Sequence, residues 1–121
     1  MVKDLLRVEP LINRALAKGS GTHTYESVAE EILKGDSQLW VRNNSCLITQ
    51  VMQFPAKRRL HIFIGAGDMN DLIDMVEEEL VPFAKANNCT EMSLVGRKGW
   101  KKALAKTGWS EDYVSLYRGL E

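Results

Sequence analysis

No stretch of this 121-residue chain stays apolar for the roughly 18 to 20 residues that a helix needs to cross a bilayer, so a helical membrane protein is not expected. Charge of one sign is also lacking. Sixteen Lys and Arg balance sixteen Asp and Glu, and no global field draws the chain to nucleic acid or to a membrane surface. Cysteine and histidine are scarce: Cys46, Cys89, His23 and His61 show no paired short spacing, and no metal site is expected. The cysteines fall on separate expected elements and read as reduced, semi-buried apolar residues rather than a bridge. The first ten residues carry charges too early for a signal peptide, which makes the expected compartment cytoplasmic. Walker loops and nucleophile elbows are missing as well.

What remains is 45% hydrophobic and 26% charged residues, the balance of one globular domain over 1–121. Residues 5–8 are a short apolar stretch, an edge strand or a lead-in. Pro10 suits the first turn of a helix carrying Leu11, Ile12, Ala15 and Leu16 and closed by Gly19. Thr24 is an N-cap for a second helix, in which Tyr25, Val28, Ala29, Ile32 and Leu33 recur at helical spacing until Gly35. The period then changes from 3.6 to 2. Strands are expected over 38–42 and 46–54, joined at Asn43-Asn44, and over 60–66 after the turn Lys57-Arg58-Arg59. A long helix follows, with Met69, Leu72, Ile73, Val76, Leu80, Phe83 and Ala84 inward and Pro82 set to kink or split it. Strand 91–95, helix 100–106 and strand 113–118 complete the chain. The class is α/β. An antiparallel meander leads into a parallel strand–helix–strand unit, giving one mixed sheet with helices on both faces. Trp40 should pack beneath the long helix.

Three segments, 20–41 ("SGTHTYESVAEEILKGDSQLWV"), 54–69 ("FPAKRRLHIFIGAGDM") and 89–104 ("CTEMSLVGRKGWKKAL"), carry a resemblance. The chain resembles the GNAT acyltransferase fold, and more narrowly the small GNAT-like proteins of tailed bacteriophages and prophages. The resemblance implies acetyl-CoA as cofactor if the chain is active. It places the coenzyme pyrophosphate on backbone amides in a Gln/Arg-x-x-Gly-x-Gly/Ala loop, at the end of the strand that precedes the long helix.

That loop is Gly65-Ala66-Gly67-Asp68 here. Bare amides ahead of a helix would suit an anion. Yet Ile62 stands where the motif has Gln or Arg, and Asp68 is an N-cap carboxylate that would fill those amides itself. His61 on the third strand is the candidate base, and Tyr117 on the last strand the candidate proton donor. Tyr113 and Tyr117 share a face there, with core or interface packing as the alternative. Along the chain, acidic residues 68, 71, 74, 77, 78 and 79 contrast with a basic group, Arg97, Lys98, Lys101, Lys102 and Lys106, around Trp100, and with a second basic cluster, Lys57-Arg58-Arg59. Such bipolarity fits solvated faces, pairing with another copy, or pairing with a phage structural protein. Three functions follow. One is a catalytically degenerate, virion-associated or accessory binding protein without cofactor. Another is an acetyl-CoA-dependent N-acetyltransferase. The third is a nucleic-acid-binding accessory protein using 97–102, which the nearby acidic helix disfavours.

Overall fold

The computed structural model describes residues 2–18, 21–96, 98–113 and 115–120, the side chain of Lys98 excepted. Helices α1 (Val2–Lys18) and α2 (Tyr25–Lys34) lead into strands β1 (Gln38–Arg42), β2 (Ser45–Gln53) and β3 (Arg58–Ala66). Helix α3 (Met69–Met75), a π-helical turn (Val76–Leu80) and α4 (Val81–Ala86) form one rod. Strand β4 (Glu91–Leu94), helix α5 (Lys98–Leu104) and a 3-10 turn (Ala105–Thr107) follow. The sheet order is β1-β2-β3-β4, antiparallel except for the parallel pair β3 and β4. The mixed α/β architecture is therefore the expected one.

The sheet has two covered faces. Cys46, Ile48 and Ile64 pack with Leu5, Val8, Ile12, Val28 and Ile32 of α1 and α2. Leu47, Leu60 and Ile62 pack with Leu72, Met75, Val76 and Leu80 of the rod on the other side. A bulge explains how β3 serves both. Ile48 pairs with Ile64 but Thr49 pairs with Ile62, so Phe63 is an extra residue. Without it, residues 60, 62 and 64 would all face one way; with it, the strand's last residues rotate toward α1.

Capping follows the sequence closely. Thr24 and Ser27 exchange hydrogen bonds at the start of α2, and Gly35 closes that helix at φ 86°. The hairpin turns at Asn43, φ 54°. Pro82 is accommodated rather than merely kinking its helix. Its ring would meet the carbonyl of Glu78 in a regular helix, and the wider π turn, with the Val81 N–H reaching the Val76 carbonyl, takes up the misfit. Trp40 packs edge-on to Phe83 at 5.1 Å, as expected, and donates its indole N–H to Thr49.

Three expectations are corrected. Residues 5–8 are neither strand nor lead-in, because α1 already runs through them and buries Leu5, Val8 and Ile12 along one stripe. Pro10 lies inside α1, not in its first turn. It is exposed, and so is Leu6, whose carbonyl loses the Pro10 partner, and water can serve it instead. The strand expected over 113–118 does not form among its described residues, and Tyr113 and Tyr117 are exposed instead of packed. Among the described residues they make no ladder with β1 or β4, the two edges of the sheet. The expected cap Gly19 lies outside the described residues.

Candidate functional site

Beyond Ile62 and Leu94 the parallel ladder ends, and β3 and β4 separate. An open cleft of about 1380 Å³ lies at this end of the sheet, lined by His61 and residues 63–66 of β3, by α1, by the loop at 21–23 and by Trp100. Clefts are where small ligands bind, and this one exceeds the usual size for a single drug-like molecule.

One wall is formed by the loop singled out in the sequence. The Asp68 side chain accepts the N–H groups of Asn70 at 2.8 Å and Asp71 at 3.3 Å. The Ser45 hydroxyl accepts the Asp68 N–H at 2.9 Å and donates to the Asp71 carboxylate at 3.0 Å. Asn43 donates to the same carboxylate. Gly67, at φ 121°, is pressed so closely against Ser45 that a Cβ would fall 2.3 Å from its Oγ. The amides of Asp68, Asn70 and Asp71 thus already serve Ser45 and Asp68, and the carboxylates of Asp68 and Asp71 stand beside them.

Trp100 closes the gap between the strands. A Cβ on Gly65 would lie 2.6 Å from the indole Cζ2, and one on Gly96 2.7 Å from Cδ1. The two glycines allow the ring to rest against both strand ends. The indole thus belongs to the apolar cluster with Leu47 and Leu94, rather than standing in solvent as a platform for a nucleobase.

His61 is half-buried, and its Nδ1 lies 2.9 Å from the Ser93 hydroxyl on β4. Burial, and then the nearby Arg59, pull its pKa below the ordinary value, which favours the neutral ring. His23 Nδ1 lies 2.8 Å from Thr22 Oγ1, and its ring packs 5.7 Å from Phe63 at the bulge. Tyr117 lines the cleft but is 87% exposed.

The surface charges are partly answered from within. Arg42 reaches Glu78 at 3.2 Å and Glu79 at 3.0 Å, tying the acidic helix to β1. Lys57 and Arg59 both bind Glu91. Lys101 and Lys102 are exposed, with Lys101 3.5 Å from Glu111, while Arg97 lies outside the described residues. Cys46 is buried and its thiol is pushed up to about 11 by burial; Cys89 is half-buried, and both are free. Among the described residues no His, Cys, Asp and Glu cluster could hold a metal, and no helix is long and apolar enough to cross a membrane.

No family model matches the chain and no curated protein matches it. Solved structures do. A tetramutant protein from Bacillus halodurans superposes with TM-score 0.71 at 13% identity, over 99% of this chain and 96% of that one. A predicted acetyltransferase from Clostridium acetobutylicum, solved with acetyl-CoA, gives TM-score 0.69 at 17% identity, over 97% and 92%. An aminoglycoside acetyltransferase from an uncultured soil metagenomic sample, in complex with sisomicin, gives 0.63 at 15%, over 98% and 90%. The chain has the GNAT-like fold. These identities speak to fold alone. As they stand, the residues of the loop at 65–68 do not fit a pyrophosphate, because the Asp68 carboxylate caps the helix behind it.

Of the residues singled out in the sequence, the structure brings His61, Trp100 and residues 65–67 to one cleft with Tyr117 at its exposed margin, and does not bring Lys101 and Lys102 there. The sequence reading missed Ser45, Ser93 and the cationic pair Arg14 and Lys18. Gly65 and Gly96, one at the end of each parting strand, were a readable sign that something bulky lies between them. Ser93 became a partner of His61 only through the parallel register.

Proposed function

We propose that this is a GNAT-fold accessory binding protein whose coenzyme cradle is occupied by its own side chains, so that it does not transfer acetyl groups. The observation that carries this reading is Asp68 capping the amides of Asn70 and Asp71, with Ser45 taking the amide of Asp68. A pyrophosphate would have to displace that carboxylate and then lie beside the carboxylate of Asp71. At ~4 Å, like unit charges oppose each other by about 1 to 4 kcal/mol, comparable with the gain from a few amide hydrogen bonds.

Calorimetry with acetyl-CoA is the test. Flat heats at millimolar ligand support the binding-protein reading, and saturable micromolar binding defeats it. Association with tailed phages, in the virion or the host cytoplasm, belongs to the same proposal and rests only on the resemblance in 20–41, 54–69 and 89–104. Neighbouring genes for virion parts would support it. Pairing with another copy or a structural protein would join the acidic helix of one molecule to Lys101 and Lys102 of the other, and light scattering at low and high salt would detect a homo-oligomer.

A second reading is an acetyl-CoA-dependent N-acetyltransferase. The acetyl-CoA complex of the Clostridium acetobutylicum neighbour favours it, as does a neutral His61 within the cleft. Saturable binding of acetyl-CoA to the unaltered protein, together with transfer of its acetyl group to an amine, would turn the choice this way.

A further inference from the structure

The wall of the cleft that α1 supplies is different in kind from the one at Gly65 to Gly67. It is built from α1 and the 21–23 loop, with Leu11 and Phe63 supplying apolar surface. Arg14 and Lys18 are the formally charged residues among those described as lining the cleft, and both are exposed. They sit four residues apart on α1, hence on one face, where like charges repel. The helix supplies no acid to offset them: the residues three and four away from Arg14 are Pro10, Leu11, Ala17 and Lys18. Neither takes part in an ion pair among the described residues. Lys18 lies in the last turn, where a cation suits the helix dipole, but Arg14 has no such reason to be there.

We propose that the cleft takes a small anionic molecule with an apolar or aromatic body, of the carboxylate or sulfonate class, its negative group held by Arg14 and Lys18. A protonated amine, the form in which most amine acceptors exist at neutral pH, is repelled by the same pair. Arginine's planar fork matches a carboxylate, and Leu11, Phe63 and the edge of Trp100 receive the apolar part. This deepens the reading of the chain as a binding protein and rests on it.

The test is a charge-reversed pair of probes followed by the NMR signal of the Trp100 indole N–H. Phenylpropionate should shift that signal saturably, and phenylpropylamine should bind at least tenfold more weakly. Arg14→Glu/Lys18→Glu should abolish the phenylpropionate response and favour the amine. Arg14→Gln/Lys18→Gln should lose the preference without reversing it. Both variants change exposed positions on α1, and an unchanged circular dichroism spectrum confirms that they fold. Equal or better amine binding by the unaltered protein overturns the proposal, as does no response to either probe. Calorimetry with acetyl-CoA separates the two readings. Coenzyme binding that survives Arg14→Glu/Lys18→Glu defeats the closed cradle and leaves the anion preference standing. Coenzyme binding that disappears in that variant assigns the cations to the coenzyme and overturns this proposal.

Discussion

The two walls of the cleft are held by opposite means. On the α3 wall each polar group named above has an internal partner: Asp68 caps its helix, Ser45 bridges the loop to Asp71, and Trp100 fills the space between the strand ends. On the α1 wall, cations face open space and the apolar side chains are only partly covered. The first wall is closed on itself, and the second leaves room for a ligand. A function assigned from fold alone would point at the first. The interaction pattern points at the second.

The largest expected contrast is in stability. Leu72→Ala, on α3 beside the cleft and buried, should cost about 2–5 kcal/mol, read as a lower denaturant midpoint with unchanged slope. Leu11→Ala on the half-buried α1 wall should cost about 1 kcal/mol or less, because less apolar area is lost. Equal costs would erase the distinction between the walls. Next comes Gly67→Ala. A methyl there must adopt φ near 121° and push into Ser45, and a loss of about 1–3 kcal/mol is expected. Gly99→Ala is the control, since a Cβ there meets nothing within 4 Å and the helix should gain about 0.5–1 kcal/mol.

Asp68→Ala tests the closure of the α3 wall directly. Losing the cap should cost about 0.5–2 kcal/mol, and Asp68→Asn distinctly less, because asparagine also caps. The same substitution frees the amides of Asn70 and Asp71. Their NMR signals should move on addition of inorganic pyrophosphate in Asp68→Ala but not in the unaltered protein. Movement in both would mean that the carboxylate does not guard the amides.

Much of this was legible beforehand, where local chemistry decides. Thr24, Gly35, Asn43 and Asp68 act within a few residues of themselves, and their caps and turns form where the sequence places them. What was not legible depends on long-range partners. Strand 113–118 has the right alternation, but a strand also needs an edge to pair with, and pairing is a property of the whole sheet. Pro10 suggested a helix start because its missing N–H is harmless there. The stripe Leu5, Val8 and Ile12 outweighed that local preference by burying three side chains. The bulge at Phe63 left no composition signal, yet it decides which residues of β3 face the cleft.

The smallest expected effect concerns His61, between the two walls. Its pKa is lowered, first by burial and then by Arg59, so the unfolded chain binds this proton more tightly than the folded protein. Stability from the neutral ring is therefore complete above the unfolded value of 6.5 and declines as pH falls through that value toward the lowered one. The ring is only half-buried, which keeps the effect small. Denaturant midpoints measured from about pH 7.5 down to about 5.5 should fall more steeply for the unaltered protein than for His61→Gln, which carries no titrating ring. Glu91, whose carboxylate is held below its ordinary pKa by hydrogen bonds from Lys57 and then Arg59, loses its contribution only at lower pH, so the two windows separate. Identical curves would mean that water reaches His61 freely, and that the cleft is open on both walls rather than one.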